Sequence, residues 1–314
     1  MSHVSRRSLI AGAAAFTLLP SLARAQAGEK KVFLDYTQKQ LDDAYDQRVW
    51  APNVQEVLKR QAEASAATRA RLKFITESYG PSADEMLDVF PVERPNAPVH
   101  VFVHGGAWRA GSKEGVSFLA DLFVPAGVIY IAVDFNSIPK ARLPEMADKV
   151  RRAMAWTYKN AKSFGGDPER IYLSGHSSGG HLAAVLLATD WKAHDVPETV
   201  IKAGLCMSGM YDLEAPLLSA RSSYVQITAD ELHALSPQRH LHRIRCPIAI
   251  THGDKESPDF QRQARDFAAA LAKAGLKNEY AVVPGFNHFE VLETLARPDG
   301  LLGRIALKQI GVAA

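Results

Sequence analysis

The stretch Gly175-His176-Ser177-Ser178-Gly179 decides the fold of this chain. An apolar run, Ile171-Tyr172-Leu173, leads into it, and a helix-forming run over residues 181–188 leads out of it. A serine between two glycines at such a junction is typical of the strained strand-to-helix turn that exposes a nucleophilic hydroxyl. The glycines suit a turn that needs unusual backbone angles and lies close to neighbouring chains. Ser177 is therefore the candidate nucleophile.

A candidate oxyanion hole precedes this serine in the chain. A serine hydroxyl is a poor nucleophile at neutral pH, so it needs a base, an orienting acid and donors for the developing oxyanion. The apolar residues 99–103 end in His104-Gly105-Gly106-Ala107-Trp108, which has the form of a glycine-rich oxyanion loop. We assign the donors to the backbone N–H groups of Gly106, Ala107 and Ser178. Trp108 is a candidate for the wall of a substrate pocket, with a place in the core as the alternative.

The orienting acid is expected after a late strand. Residues 247–250 predict a buried strand that runs into Thr251-His252-Gly253-Asp254-Lys255-Glu256-Ser257-Pro258. Glu256, three residues beyond Gly253, is the preferred acid, since either Asp or Glu can serve in this role. Asp254 and Asp259 remain alternatives, because a carboxylate after a strand can equally cap the following helix.

The candidate base follows the last predicted strand. Residues 280–283 end in Pro284-Gly285-Phe286-Asn287-His288, and this position makes His288 the expected general base. The order Ser177, Glu256, His288 along the chain is that of α/β-hydrolases. The two motif histidines, His104 and His176, are interpreted as structural supports of their loops.

These residues predict acyl transfer from a small-molecule ester or amide to water, a reaction that needs neither a cofactor nor a metal. The remote alternative is a non-catalytic member of the fold that binds a small ligand. The pair His240 and His242 has no further ligands at metal-binding spacing. No basic patch interleaved with aromatic residues points to nucleic acid. With 47% hydrophobic and 23% charged residues, the chain of 314 residues has an ordinary globular composition.

The chain resembles the kynurenine formamidase (arylformamidase)-like branch of the α/β-hydrolases, close to the hormone-sensitive-lipase-type esterases. The resemblance rests on the oxyanion and histidine loops and on four further segments: Asp43-Ala44-Tyr45-Asp46-Gln47-Arg48, residues 175–184, Ser208-Gly209-Met210-Tyr211-Asp212-Leu213 and Glu256-Ser257-Pro258-Asp259-Phe260. It implies hydrolysis of aryl formamides or of esters. Where formamidases typically have an aspartate before Ser-Pro, this chain has Glu256. Where they often carry an aromatic residue before the tryptophan it has Ala107, which is expected to widen the acyl side of the pocket.

Strands alternate with helical stretches along the chain, which predicts an α/β-hydrolase fold with a mostly parallel sheet and helices on both faces. Strands are expected at residues 86–90, 99–103, 128–133, 171–174, 203–207, 247–250 and 280–283, and a long helix at residues 144–163. Two stretches fall outside this alternation, residues 38–76 and 213–242. We interpret them as a small helical cap over the active site, the alternative being helices that only cover a sheet edge.

The first 25 residues are interpreted as a twin-arginine secretory leader rather than as part of the fold. Arg6-Arg7 precedes a short apolar run, and Ala23-Arg24-Ala25 has the form of a cleavage site. Residues 26–314 would then be a single periplasmic or secreted domain, not inserted in the membrane. The three leader arginines account for the formal charge of +3, so the mature chain would be neutral. The two cysteines, Cys206 and Cys246, are expected to be buried free thiols, because such exported proteins fold in a reducing compartment.

Overall fold

A computed structural model describes residues 30–313 of the chain, so the expected leader of residues 1–25 lies outside the described residues. From Lys31 onward the described residues form one compact unit. Among them, no helix combines the length and the apolar character needed to cross a bilayer.

The strands of the described residues belong to a two-stranded ribbon and to one large sheet. They are β1 (Lys31–Phe33), β2 (Tyr36–Thr37), β3 (Ile75–Ser78), β4 (Met86–Phe90), β5 (Ala97–Val103), β6 (Ile129–Val133), β7 (Gly166–His176), β8 (Ile201–Met207), β9 (Ile248–Gly253) and β10 (Asn278–Val283).

The α-helices alternate with these strands through most of the chain. They are α1 (Gln38–Tyr45), α2 (Val54–Arg71), α3 (Ala120–Phe123), α4 (Leu143–Asn160), α5 (Ser178–Leu187), α6 (Glu214–Leu218), α7 (Ala229–Ala234), α8 (Pro258–Lys273) and α9 (Leu301–Ile310). The predicted long helix is α4 followed by a 3-10 turn, Ala161–Phe164, which ends where Gly165 takes the left-handed conformation (φ 85°).

The large sheet has the strand order β10-β9-β8-β7-β5-β6-β4-β3. All neighbouring pairs are parallel except β4 with β6 and β3 with β4, so the prediction of a mostly parallel sheet is confirmed. The register aligns Val103 with Gly175, Met207 with Thr251, and Gly253 with Val283. The loops that leave β5, β7, β9 and β10 therefore start at one edge of the sheet, where the carboxyl ends of the strands meet.

Both faces of the sheet are buried, which explains why its central strands are almost entirely apolar. On β6, Ile129 and Ile131 pack into one core cluster, while Tyr130 and Ala132 pack into the other. Helices α4, α5 and α8 cover the first face; α3 and α9 cover the second.

The structure differs from the predictions made from the sequence in two places. Ile75 and Thr76, placed in a helical stretch, belong to β3, which pairs antiparallel with β4 at the sheet edge. All four residues of β3 are exposed, so the strand carries no apolar alternation from which it could be predicted. Both cysteines are free, as expected, but only Cys206 is fully buried; Cys246 is half-buried.

Candidate active site

Ser177 occupies a sharp turn between β7 and α5. Its backbone angles are φ 58° and ψ −124°, a strained combination for a residue with a side chain. The flanking glycines are required by close backbone contacts: a Cβ on Gly175 would lie 2.2 Å from the Gly179 carbonyl oxygen, and one on Gly179 would lie 2.1 Å from that of Val103. The turn at Ser177 therefore requires glycine at both flanking positions.

Three side chains from separate loops meet at this hydroxyl. The His288 Nε2 atom lies 2.8 Å from the Ser177 Oγ atom, and the His288 Nδ1 atom lies 3.0 Å from a carboxylate oxygen, Oε2, of Glu256. An ionised carboxylate can only accept, so Nδ1 carries the proton and Nε2 is free to accept the serine proton. All three residues are buried. Such an arrangement can activate a hydroxyl for attack on a carbonyl.

Glu256 is held by further donors on its second oxygen. Oε1 accepts hydrogen bonds from the Ser208 hydroxyl at 2.6 Å and from the Gly253 amide at 2.7 Å. Burial acts to raise the pKa of Glu256, but the interaction with His288 and the hydrogen bonds outweigh it and hold the pKa below its usual value. The carboxylate is therefore ionised at neutral pH.

The two alternative acids have other partners. Asp254 accepts a hydrogen bond from the Gly285 amide at 2.7 Å and is exposed. Asp259 is fully buried, accepts from the Tyr45 hydroxyl, and pairs with the Arg262 guanidinium at 2.6 Å. The structure brings Glu256, and neither aspartate, to His288.

The glycine-rich loop after β5 has an unusual backbone at three consecutive residues: φ is 121° at Gly106, 55° at Ala107 and 61° at Trp108. The Trp108 amide donates to the Ser178 hydroxyl at 3.2 Å, which ties this loop to the start of α5. Within residues 30–313, no acceptor engages the N–H groups of Gly106, Ala107 or Ser178. These amides are therefore available to a developing oxyanion.

The motif histidines support the loops around the serine. The His176 Nε2 atom donates to the backbone oxygen of His288 at 2.8 Å, and burial lowers the pKa of His176 to about 3, so the ring is neutral. The His104 Nδ1 atom donates to the Gly105 oxygen at 2.8 Å, and the ring stacks on Phe135 with a centroid distance of 4.3 Å.

A cavity of about 940 Å³ opens above the serine. Its wall includes Ser177, His288 and the oxyanion loop, and both extra stretches contribute to it: Tyr45 and Arg48 from the first, Arg221 and Tyr224 from the second. The stretches at 38–76 and 213–242 thus both border the site.

Trp108 does not lie on this wall. It is only 1% exposed and packs edge-on against the His181 ring, with a centroid distance of 5.3 Å. The prediction that Trp108 forms part of the pocket wall is wrong: with a left-handed backbone at Ala107 and Trp108, the indole lies in the core. The alternative of a core residue is therefore the correct one.

Sequence reasoning missed two polar residues of the site. Ser208, which anchors Glu256, lies in a segment that carried the family resemblance, and its φ of 52° was not foreseeable from a serine. Arg221 lies in the second extra stretch with no motif around it, and only the fold brings it to the cavity.

The profile of the BD-FAE family matches residues 87–271, which include Ser177 and Glu256. The chain belongs to this family of α/β-hydrolases. It is 31% identical over 286 residues to a kynurenine formamidase of Danio rerio, covering 87% of this chain and 96% of that protein. It is also 32% identical to the esterase LipQ of Mycobacterium tuberculosis, over 69% of this chain and 57% of that protein.

Solved structures agree with the fold of this BD-FAE member. A Silicibacter protein described as a candidate thioesterase superposes with a TM-score of 0.75 at 28% identity, covering 85% of this chain and 98% of that one. The carboxylesterase EstE1, from a metagenomic library, superposes with a TM-score of 0.64 over 82% of this chain and 93% of that one; at 19% identity it supports the fold alone. The similarity to these relatives shows that the chain is a serine hydrolase of carboxylic esters or amides and that its substrates are small molecules.

Proposed function

We propose that Ser177 is the nucleophile, His288 the general base and Glu256 the orienting acid of this hydrolase. The single observation that carries the proposal is the hydrogen-bonded chain Ser177–His288–Glu256, with distances of 2.8 and 3.0 Å. His288 takes the hydroxyl proton of Ser177 as the oxygen attacks the carbonyl carbon, and Glu256 stabilises the resulting imidazolium. His288 then gives the proton to the leaving group, which departs as the alcohol or amine.

The oxyanion of the tetrahedral intermediate is stabilised by the amides of Gly106, Ala107 and Ser178. Water then enters, gives a proton to His288 and attacks the acyl carbon. His288 returns the proton to the Ser177 oxygen as the bond between this oxygen and the acyl carbon breaks, which releases the acid and restores the free serine. Each oxyanion donor contributes ~100- to 1,000-fold to turnover in enzymes of this kind.

The preferred substrates in this proposal are carboxylic esters and activated aryl amides. The leaving group of an aryl amide is a weakly basic aniline, so a site that hydrolyses esters can also cleave such an amide. A cavity of about 940 Å³ with the small side chain of Ala107 on its wall supports an acyl group larger than formyl. The alternative is kynurenine formamidase activity, which the 31% identity to the Danio rerio enzyme favours.

One ratio separates these alternatives: kcat/KM for N-formylkynurenine divided by kcat/KM for a short-chain phenyl ester, with Ser177→Ala as the blank. The proposal expects a ratio far below one. A ratio well above one would establish the formamidase and show that Ala107 does not relax selectivity for formyl groups.

We also propose that residues 1–25 export the folded chain to the periplasm or the medium. The twin arginines, Arg6 and Arg7, support this route. Replacing both by lysine should hold the activity in the cytoplasmic fraction in unprocessed form. Equal activity outside the cytoplasm for wild type and variant would refute it.

A further inference from the structure

A buried arginine that forms no salt bridge within residues 30–313 is part of the wall of the catalytic cavity. Arg221 is 6% exposed and lines the cavity together with Ser177 and His288. Its Nε and Nη2 atoms donate to the backbone oxygen of Tyr45 at 3.2 and 3.0 Å. Its Nη1 atom is buried and has no acceptor within residues 30–313. A buried guanidinium N–H without a partner is destabilising, so a residue of the cavity wall carries a positive charge and a donor that the described residues do not satisfy.

The carboxylate of Asp46, a potential partner of Arg221, already has another partner. Asp46 also lines the cavity, but it pairs with Arg48 through two hydrogen bonds of 2.8 and 2.7 Å. The charge of Arg221 is instead accommodated by the carbonyl at the C-terminal end of α1 and by the faces of aromatic rings, Trp108 at 5.3 Å and Tyr45 at 5.7 Å. Burial lowers the pKa of Arg221, yet arginine remains protonated at neutral pH.

A second arginine, Arg109, also lines the cavity. Arg109, from the oxyanion loop, places its guanidinium over the ring of Tyr224 at 4.6 Å, and it forms no salt bridge with the described residues. Tyr224 also lines the cavity, as do both arginines.

Another part of the wall is apolar. Leu58, Phe289 and Leu292 line it, and Leu58 is 45% exposed. A cavity with a cationic wall and an apolar wall fits a molecule that is itself divided, with an apolar or aryl portion and an anionic group.

We propose that the substrate of this site carries a carboxylate, and that Arg221, assisted by Arg109, is the residue that selects it. The inference rests on the proposed function of Ser177 and specifies the class of ester or aryl amide that the site hydrolyses. In Arg221, Nε and one N–H of Nη2 are engaged by the Tyr45 carbonyl, so Nη1 and the second N–H of Nη2 remain for two parallel hydrogen bonds to a carboxylate.

Matched substrate pairs test the proposal. One pair is 3-acetoxybenzoate and its neutral primary amide, with the charge on the leaving group. The other is the monophenyl ester of glutaric acid and the corresponding amide, with the charge on the acyl group. We expect the wild-type kcat/KM ratio of acid to amide to exceed about 10 in at least one pair, since a bidentate charged contact is worth more than a factor of ten. Ratios at or below one in both pairs overturn the proposal.

The variants assign the selection to a residue. In Arg221→Gln the acid-to-amide ratio should fall to about one, and in Arg109→Gln it should fall less. Arg297→Gln is the matched control, because Arg297 pairs with Asp299 at the surface and does not line the cavity; its ratio should equal that of the wild type. An unchanged ratio in Arg221→Gln would contradict the assignment.

If Arg221→Gln does not fold, it will not react at Ser177 with a serine-directed phosphonate label. A measurement on the wild-type protein covers that case. Benzoate should then inhibit hydrolysis of the neutral amide substrate at least tenfold more strongly than benzamide does. Equal inhibition would refute the carboxylate site. The proposed function predicts hydrolysis of the neutral amide substrates whether or not the carboxylate site exists. Turnover of these substrates with equal inhibition therefore refutes the carboxylate site alone, whereas no turnover refutes the proposed function.

Discussion

The Ser208 hydroxyl donates to the Glu256 carboxylate at 2.6 Å, on the oxygen that does not face His288. Ser208 directly follows β8 and has a strained backbone, with a φ of 52°. It thereby holds the side chain of Glu256, which lies in the loop after the neighbouring strand β9. With the Gly253 amide at 2.7 Å, this contact leaves Oε2 of Glu256 free for the histidine. The carboxylate is therefore oriented before any substrate arrives.

Glu256→Gln should lower kcat by roughly 10³–10⁴-fold with little change in KM, because an amide can stabilise the wrong tautomer of His288. Asp254→Asn is the control: Asp254 contacts the Gly285 amide and not His288, so its kcat/KM should stay close to that of the wild type. Steady-state kinetics on a phenyl ester distinguish the two carboxylates. A large loss in Asp254→Asn with a small one in Glu256→Gln would reverse the assignment of the acid.

Gly106→Ala should reduce kcat by at least about 100-fold. A Cβ at Gly106 would lie 2.1 Å from the Ala110 carbonyl oxygen, so the loop must move and its amides lose their aim at the oxyanion. Gly275→Ala is the matched control, since Gly275 also has a positive φ, 72°, but a Cβ there meets no atom within 4 Å. The control should lose stability, by about 1 kcal/mol, and keep its kcat. Similar kcat losses in both variants would mean that backbone strain alone explains the effect.

Ala107→Phe should narrow the cavity on the side where Ala107 lines it. We expect the ratio of kcat/KM for phenyl acetate to that for phenyl hexanoate to rise about tenfold or more, the usual scale for steric selection among acyl chains. The measurement is an acyl-length series on wild type and variant. An unchanged series would place the acyl group elsewhere in the cavity.

Stability should fall as the pH decreases below about 6.5, the pKa of an unperturbed histidine. Burial lowers the pKa of His100 and His176 to about 3 and that of His181 to about 4, whereas each is about 6.5 in the unfolded chain. Below pH 6.5 the unfolded state therefore binds more protons than the folded state, and the free energy of unfolding decreases as pH falls. At pH 5 this loss is about 2 kcal/mol for each histidine.

Urea unfolding at pH 7 and pH 5 measures this difference. His100→Gln should show a smaller difference between the two pH values than the wild type, because it removes one of the three titrating groups. The same free energy of unfolding at both pH values would show that these rings are protonated in the folded protein as well.

The residues that meet at the candidate site could be selected from the sequence because each of the segments that carry them has a local signature. The glycines around Ser177 are required by backbone contacts, and the loops with Glu256 and His288 follow apolar runs that are strands β9 and β10. Chain order then suffices to bring the three residues together, because the strands are parallel and their carboxyl ends share an edge.

Features that depend on tertiary packing are not predictable in this way. The exposed edge strand β3 has no apolar period, and the direction of the Trp108 side chain follows from positive φ angles in a loop. Arg221 reaches the cavity only because its stretch folds against the end of α1, where it finds the Tyr45 carbonyl. The composition of this stretch carries no sign of that contact.

Trapping of the acyl-enzyme tests the central claim most directly. The purified protein is mixed with 4-nitrophenyl acetate, the release of nitrophenol is followed in the first turnover, and the quenched protein is analysed by peptide mass spectrometry. We expect turnover and an acetyl group on the peptide that contains Ser177, both absent in Ser177→Ala. Equal turnover by Ser177→Ala, or an acetyl group on another residue of the wild type during turnover, would contradict the assignment of Ser177 as the nucleophile.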